Sequence, residues 1–198
     1  MPSTDDAARA ESPAFARLES IWRPEVQRWR TPSLGRVEAE LLGCLAAARG
    51  ARRALELGTA IGLSAAYLAE GMGLEGRVIA VDLDSRRAAK ARELWAAAGL
   101  ADRVSLRVGD ALALLPELGG DFDLVFIDLL WELGSSEKGR RLGRGVATAL
   151  VSGGLLVADN CSQRLPAAEG FLAEVTGGTF RLWTVLPLRD GLLVATRS

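Results

Sequence analysis

The segment from Glu56 to Ser64 holds the first residues of this sequence that could bind a ligand. Gly58 and Gly62 follow an apolar run and stand at the start of a helical pattern. Glycines there let the backbone approach a nucleotide-like ligand at a helix N-terminus. A dinucleotide-binding loop has a further glycine between them, where this sequence has Ala60. The loop therefore predicts a nucleotide-like ligand without a complete pyrophosphate cradle.

Two aspartates follow the next apolar runs. Asp82 ends the second predicted strand, where its carboxylate can accept hydrogen bonds from both hydroxyls of a ribose. Asp110 begins a later helix and either caps that helix or receives an adenine amino group. An isolated aspartate at a strand end is more often a turn or cap residue. Together with the glycine loop, Asp82 favours an adenosine with free hydroxyls.

A second polar group follows two later strands. Asp128 ends the fourth predicted strand, and Asp159 and Asn160 follow the fifth. In a parallel sheet these side chains emerge at the same carboxyl edge. Two carboxylates and an amide oxygen suit magnesium, calcium or manganese, although such residues can also simply cap helices and shape turns. We favour a divalent cation, with magnesium first.

The composition restricts the available chemistry. The 198 residues include no histidine, and Lys90 and Lys138 are the only lysines, so general bases are few. A net charge of -1 gives no overall bias toward nucleic acid or a membrane surface, and favours a small-molecule partner. No long apolar run or signal-peptide pattern occurs, which predicts a cytoplasmic protein. Cys44 and Cys161 are interpreted as structural thiols.

The elements that would position these residues alternate along the chain. Helical spacing runs from Ser33 to Arg49, and Phe180 to Leu186 and Leu192 to Thr196 indicate an antiparallel hairpin. The pattern predicts an α/β, Rossmann-like, doubly wound and mostly parallel sheet that ends in this hairpin. We expect one domain over 1–198, with a helical extension over 1–32 and the core over 33–198. The predicted buried strands are Arg53 to Leu57, Arg77 to Val81, Val104 to Val108, Leu124 to Ile127 and Leu155 to Ala158.

Several blocks in order resemble class I methyltransferases, and more narrowly the metal-dependent O-methyltransferase family that includes catechol and caffeoyl-CoA O-methyltransferases. The resemblance spans roughly 33–198. The blocks are Leu55-Glu-Leu-Gly-Thr-Ala-Ile-Gly-Leu-Ser64, Val81-Asp-Leu-Asp84, Ala98-Gly-Leu-Ala-Asp-Arg-Val104, Val108-Gly-Asp-Ala111, Phe122-Asp-Leu-Val-Phe-Ile-Asp128, Gly153-Gly-Leu-Leu-Val-Ala-Asp-Asn160 and Leu186-Pro-Leu-Arg-Asp-Gly-Leu192. The resemblance implies S-adenosylmethionine as cofactor and a small hydroxylated, catechol-like acceptor.

By the same resemblance, residues receive individual roles toward the cofactor. Its methionine part would contact Glu56, Gly58 and Ser64. Its ribose would contact Asp82, and its adenine would lie beside Asp110 and Ala111. The complete predicted cofactor set is Glu56, Gly58, Thr59, Gly62, Ser64, Asp82, Leu83, Gly109, Asp110, Ala111 and Asp128.

The resemblance also implies that Asp128, Asp159 and Asn160 hold the divalent cation. The family has a lysine three residues beyond the first of these, and this sequence has Trp131 there. Tryptophan cannot accept a proton, so the candidate catalytic residues are Asp128, Glu132 and Lys138. Trp131 either stacks on an aromatic acceptor or packs in the protein.

Two other functions stay open as alternatives. The basic run Lys138 to Arg144 could bind tRNA for a modifying methyltransferase, although the same charges form a solvated helix face more often, so nucleic acid is a weak expectation. Loss of the family lysine could instead mark a cofactor-binding protein without turnover. A homodimer is expected by resemblance, and the apolar residues Phe15, Leu18 and Ile21 could serve it.

Overall fold

The computed structural model describes residues 12–198, so the predicted features of residues 1–11 lie outside it. The seven helices are α1 (Pro13–Trp29), α2 (Arg36–Arg49), α3 (Leu63–Met72), α4 (Ser85–Ala97), α5 (Ala111–Leu114), α6 (Ser136–Ala149) and α7 (Pro166–Glu174). The strands are β1 (Arg53–Leu57), β2 (Arg77–Asp82), β3 (Val104–Val108), β4 (Phe122–Ile127), β5 (Leu150–Ala158), β6 (Phe180–Leu186) and β7 (Leu192–Arg197). A 3-10 turn (Leu115–Glu117) follows α5, and a π-helical turn (Val175–Thr179) follows α7.

The strands form one sheet in the order β3-β2-β1-β4-β5-β7-β6. Strands β1 to β5 are parallel to their neighbours, whereas β7 pairs antiparallel with both β5 and β6. This mixed sheet confirms the predicted fold class. The chain order reverses direction between β1 and β4, which is the point where ligands bind in open α/β sheets.

Helices cover both faces of the sheet because the buried strands alternate apolar side chains toward two cores. One core joins β1 and β2 to α1 through α4 and contains Trp22, Tyr67 and Trp95. The other joins β4 and β5 to α6 and α7 and contains Leu142 and Phe171. No helix in residues 12–198 combines the length and apolar content that a bilayer crossing needs.

The element boundaries differ most from the sequence prediction at two places. Strand β5 begins at Leu150 and not at Leu155, because it continues through Gly153 after a register shift against β4. Glycines there indicate a turn from sequence, but a bulge accommodates them within a strand. Helix α2 begins at Arg36, after an extended segment that starts near Thr31.

Helix α1 is a single helix that packs on the domain. Leu18 is fully buried, Phe15 lies 4.9 Å from the ring of Tyr67, and Ile21 packs on the same core. The three apolar residues that could have served a dimer are therefore used within the chain. The homodimer stays a prediction from the resemblance alone.

Candidate active site

The glycine loop between β1 and α3 is shaped by contacts within the protein. Gly58 and Gly62 both have positive φ angles, of 91° and 85°. A Cβ atom on Gly58 would lie 2.4 Å from the backbone oxygen of Asp128, and one on Gly62 would lie 2.6 Å from the ring of Trp95. The indole Nε1 of Trp95 donates to the carbonyl of Gly62 at 2.8 Å. Packing thus requires both glycines, whatever the loop binds.

Glu56 lies beneath this loop and is fully buried. Its two carboxyl oxygens accept hydrogen bonds from the hydroxyls of Thr59 and Ser64. Burial raises the pKa of Glu56 to about 8, against the lowering effect of these two hydrogen bonds. Glu56 therefore connects the end of β1 to both ends of the loop, a positioning role that its place in the sequence did not reveal.

Asp82, at the end of β2, holds the same loop from the other side. Its Oδ2 accepts from the backbone nitrogen of Ala60 at 2.7 Å, and its Oδ1 accepts from that of Asp84 at 2.8 Å. Each carboxylate oxygen has a second lone pair, so both can also accept from a ligand hydroxyl. The side chain is preorganised to receive a diol.

Asp110 caps α5, which was one of its two predicted roles. Its Oδ1 accepts from the backbone nitrogens of Leu112 at 2.7 Å and Ala113 at 3.3 Å. The residue also lines the cavity described next. Capping therefore fixes the carboxylate at the rim of a cavity, and the two predicted roles are compatible.

A cavity along the carboxyl edge, the large cleft, has a volume of about 920 Å³ and is open to solvent. It is of a size that suits a small ligand or cofactor. Seven predicted cofactor residues line it: Gly58, Asp82, Leu83, Gly109, Asp110, Ala111 and Asp128. Thr59 and Ser64 border a separate cavity of about 260 Å³ that Gly58 and Asp128 also line. Glu56 and Gly62 line neither.

A second cavity of about 490 Å³, the small cleft, adjoins the first. Asp128, Trp131 and Pro32 line both clefts. The other residues that line the small cleft are Ser33, Asp159, Asn160, Gln163, Arg189 and Asp190. The structure therefore brings the three predicted metal ligands together in one cleft, beside a tryptophan that is 44% exposed.

The carboxylates of the small cleft are held away from water. Burial, together with the charge of Asp159, raises the pKa of Asp128 to about 7. Burial also raises the pKa of Asp159, while the backbone N–H of Asn160 and the charge of Arg189 lower it. The Asn160 backbone has a φ of 64°, and its buried Oδ1 accepts no hydrogen bond within residues 12–198.

These donors fit a hard divalent cation. Two carboxylates repel each other when both are ionised, and a buried amide oxygen lies beside them without a partner. Within the described residues, no group of three or more Asp, Glu, His or Cys side chains is arranged to hold a metal ion. The predicted set is of a different kind, since its third donor is an amide.

Both candidate bases other than Asp128 lie on the large cleft. Glu132 and Lys138 line it, and neither lines the small cleft. Burial raises the pKa of Glu132, while the charge of Arg87 lowers it and that of Asp82 raises it. These neighbours place Glu132 on the side of the cleft that Asp82 occupies.

Two contributors to the small cleft were missed by sequence reasoning. Arg189 comes from the connection between β6 and β7, and Ser33 comes from the extended segment before α2. The guanidinium of Arg189 donates to the carbonyl of Ser33 at 2.9 Å. Arg189 lies within a block quoted for the resemblance, but no local pattern indicates that this turn folds back to the fourth and fifth strands.

The basic run on α6 makes contacts with the protein itself. Arg141 donates to the carbonyl of Leu112 at 3.2 Å, and Arg144 forms an ion pair with Glu174 at 2.9 Å. These contacts are those of a helix face packed beside its neighbours. They favour the solvated-face interpretation of this run over a surface for tRNA.

Comparison with known proteins agrees with the observed fold. The family model described as O-methyltransferase matches residues 8–163. The chain therefore belongs to the O-methyltransferase family, which confirms the resemblance carried by its motifs. It is 49% identical over 92 residues to a catechol O-methyltransferase of Mycobacterium tuberculosis, and 32% identical over 146 residues to one of Niastella koreensis. The matched regions cover 46% and 67% of this chain, and 42% and 64% of those proteins.

Solved structures extend the similarity over nearly the whole chain. Cofactor-bound Rv0187 from MTB is 30% identical with a TM-score of 0.78, over 98% of this chain and 93% of that one. An O-methyltransferase from Bacillus cereus in complex with SAH has a TM-score of 0.79 over 98% of this chain and 94% of that one. Its identity is 22%, so it supports the fold alone.

Proposed function

We propose that this protein transfers the methyl group of S-adenosylmethionine to a hydroxyl of a small, catechol-like acceptor, assisted by a divalent cation. The observation that carries the proposal is the junction of the two clefts at Asp128 and Trp131. A methyl donor in the large cleft and an acceptor in the small cleft would meet at this junction. Two relatives named catechol O-methyltransferase support the acceptor class.

The large cleft would bind the cofactor by groups that the protein already holds in place. Asp82 would accept hydrogen bonds from the ribose hydroxyls, and Asp110 with Ala111 would flank the adenine. Thr59 and Ser64 would border the methionine part, with Glu56 fixing both hydroxyls from beneath. The remaining predicted contacts are Gly58, Gly62, Leu83 and Gly109. Fixing the donor in this way would supply the orientation that an in-line displacement from sulfonium requires.

The small cleft would orient the acceptor. Asp128, Asp159 and Asn160 would hold the cation, magnesium by preference, through oxygen atoms. Such a cation lowers the pKa of a hydroxyl that it binds and stabilises the developing oxyanion. Trp131 would lie against an aromatic acceptor and limit the access of water.

The acceptor proton needs a base, and Asp128, Glu132 and Lys138 are the candidates. Of these three candidates, only Asp128 borders both clefts. With a pKa of about 7, it could exchange a proton near neutral pH before a cation binds. Glu132 and Lys138 line only the large cleft. We therefore expect them to matter less than Asp128 and Asp159.

The test combines binding with turnover. Calorimetry with S-adenosylmethionine measures cofactor binding, and a screen over catechols and hydroxylated phenylpropanoids measures transfer with magnesium or with a chelator. We expect Asp159→Ala to bind the cofactor but to lose transfer. Full activity in the chelator would exclude the cation role. Cofactor binding without transfer to any acceptor would favour a non-catalytic protein.

The proposal also identifies the kind of partner. We expect a small-molecule acceptor and no nucleic-acid substrate, and salt-dependent binding of tRNA would contradict this. A homodimer and a cytoplasmic location stay predictions from sequence. Light scattering of the purified full chain would determine its oligomeric state.

A further inference from the structure

Arg189 is held beside the candidate cation ligands by a rigid turn. The turn between β6 and β7 is closed by a hydrogen bond from the nitrogen of Gly191 to the carbonyl of Leu188 at 2.7 Å. Two more backbone bonds fasten it to the segment after Asn160: Cys161 donates to Gly191 at 2.9 Å, and Ser162 donates to Asp190 at 2.8 Å. Since this turn and the Asp159-Asn160 pair are fastened together, the backbone of Arg189 cannot move far from the small cleft without breaking these hydrogen bonds.

The turn between β6 and β7 lies so close to the segment after Asn160 that one of its positions requires glycine. Gly191 has a φ of 88°, and a Cβ atom there would lie 2.0 Å from the hydroxyl oxygen of Ser162. Arg189 itself has a positive φ of 40°, which is an uncommon backbone conformation for a residue with a side chain. The turn is therefore specified by its packing against the residues that follow the cation ligands.

The charge of Arg189 acts on two of the three carboxylates that line the small cleft, Asp128 and Asp159. Its positive charge lowers the pKa of Asp128 and that of Asp159. Among the residues that line this cleft in the described part of the chain, Arg189 is the only cationic side chain. Its guanidinium also donates to the carbonyl of Ser33, which gives it a partner outside the carboxylate pair.

We propose that Arg189 is a resident counter-charge of the small cleft that opposes divalent-cation binding at Asp128, Asp159 and Asn160, so that the affinity of this site is set by Arg189. The inference rests on the proposed cation site. A guanidinium and a divalent cation that lie near the same two carboxylates repel each other, and water screens part of that repulsion because Arg189 is exposed. The bond to Ser33 keeps the guanidinium hydrogen-bonded whether or not a cation is bound.

This arrangement gives the cleft two states that differ by the two positive charges of the cation. Without a divalent cation, Arg189 compensates part of the carboxylate charge, and the ligand residues keep their positions. With a cation bound, the arginine is an excess charge that lowers the affinity. The protein would then bind the cation weakly on its own and more strongly when an acceptor oxygen adds negative charge to the cleft.

The test measures cation binding directly and needs no turnover. Binding of Mn²⁺ to the full chain is followed by electron paramagnetic resonance at pH 8, without cofactor or acceptor, for wild type, Arg189→Met and Arg189→Lys. We expect Arg189→Met to bind Mn²⁺ on the order of tenfold more tightly than wild type, because one repelling charge is removed. Arg189→Lys keeps the charge and should remain within about threefold of wild type.

Two controls separate this effect from a general change in the protein. Arg181→Met removes an arginine from β6, outside the lining of either cleft, and should leave Mn²⁺ affinity unchanged. Adding Asp159→Ala to Arg189→Met should abolish the gain, which assigns the bound ion to this cleft. Thermal melts establish that each variant is folded, and Arg189→Gln repeats the neutralisation with a polar side chain.

Three outcomes would overturn the proposal. These are equal affinity of Arg189→Met and wild type, weaker binding by both neutral variants, and absence of Mn²⁺ binding in every variant. The third would also remove the cation from the proposed function, while calorimetry with S-adenosylmethionine and transfer in a chelator would still test the methyltransferase itself. Binding by Arg189→Met alone would support the proposal.

Discussion

The two clefts differ in how their carboxylates are satisfied. In the large cleft and beneath it, three carboxylates accept hydrogen bonds from the protein: Glu56 from two hydroxyls, and Asp82 and Asp110 from two backbone nitrogens each. In the small cleft, Asp159 accepts only from the backbone of Asn160 within the described residues. Asp128 accepts none there.

This difference indicates that the large cleft is preorganised to bind a ligand, whereas the small cleft holds the more reactive groups. The carboxylates of the large cleft keep a loop, a strand end and a helix start in one arrangement, so a ligand would find its partners already oriented. The small cleft instead gathers charge that the protein compensates only in part, through Arg189. Perturbed carboxylates grouped in a cleft are typical of functional sites. This difference supports the proposal that the chemistry takes place on the side where the polar groups lack internal partners.

The largest effect expected on the large cleft follows from Asp82→Ala. The substitution removes the acceptor for the ribose hydroxyls and releases the backbone nitrogens of Ala60 and Asp84. Two hydrogen bonds to a charged group predict a loss of S-adenosylmethionine affinity on the order of 100-fold or more. Calorimetry measures it.

Asp123→Ala is the matched control for this prediction. Asp123 also accepts from two backbone nitrogens, those of Arg52 and Arg53, but it lies at the opposite end of the sheet. This variant should lose stability without losing cofactor affinity. Equal losses of affinity in the two variants would show that Asp82 acts only through the fold.

Glu56→Gln is expected to change how stability depends on pH. The folded state holds a proton on Glu56 up to a pKa of about 8, whereas the unfolded chain releases it near 4.5. Wild type should therefore lose stability as pH rises between these values, and the glutamine variant should not lose this part. At pH 8 the difference could reach ~4 kcal/mol.

Chemical denaturation at several pH values between 4.5 and 8 tests this expectation. The stability of Glu56→Gln relative to wild type should increase steadily across the range. Glu169→Gln, on the exposed side of α7, serves as a control in which the relative stability should stay level. A constant difference between Glu56→Gln and wild type would contradict a raised pKa at this position.

Substitution of Trp131 tests whether the acceptor binds at the junction of the two clefts. Because it lines both and is only half-buried, Trp131→Ala should raise the KM for an aromatic acceptor by about three- to tenfold. Trp131→Phe keeps an aromatic face and should recover most of the loss. Steady-state kinetics with a catechol acceptor measures both. An unchanged KM with lower stability would instead assign Trp131 to packing.

The sheet was predictable because its strands carry continuous apolar runs that end in recognisable turns. Parallel strands present their carboxyl ends at one edge of a sheet, and this rule correctly predicted from sequence that Asp128 and Asp159 lie close together. Strand β5 was predicted too short, since glycines at 153 and 154 are read locally as a turn. Pairing with β4 overrides that local preference.

Other parts of the site depend on tertiary contacts that no local pattern records. Arg189 reaches the small cleft only because its turn is bonded to residues 161 and 162. Glu56 is turned inward beneath the loop by the alternation of side chains along β1, and its contact with the cofactor stays a prediction. Sequence spacing therefore identified the strand ends, but not which side chains face the cavity.

The smallest effects are expected from substitutions of Glu132 and Lys138, which test whether the large cleft takes part in the proton transfer. Both line the large cleft and neither lines the small one, so neither is well placed to take a proton from an acceptor beside Asp159. We expect Glu132→Gln and Lys138→Met each to lower kcat by less than about tenfold, below the usual contribution of a general base.

The measurement is kcat from pH 5 to 9 for both variants and wild type. Because burial raises the pKa of Glu132, a role as base would appear as a rate that rises with pH in wild type and is flat in Glu132→Gln. A fall of 100-fold or more in either variant, with loss of such a limb, would transfer the proton step to the large cleft and remove the division of roles between the two sites.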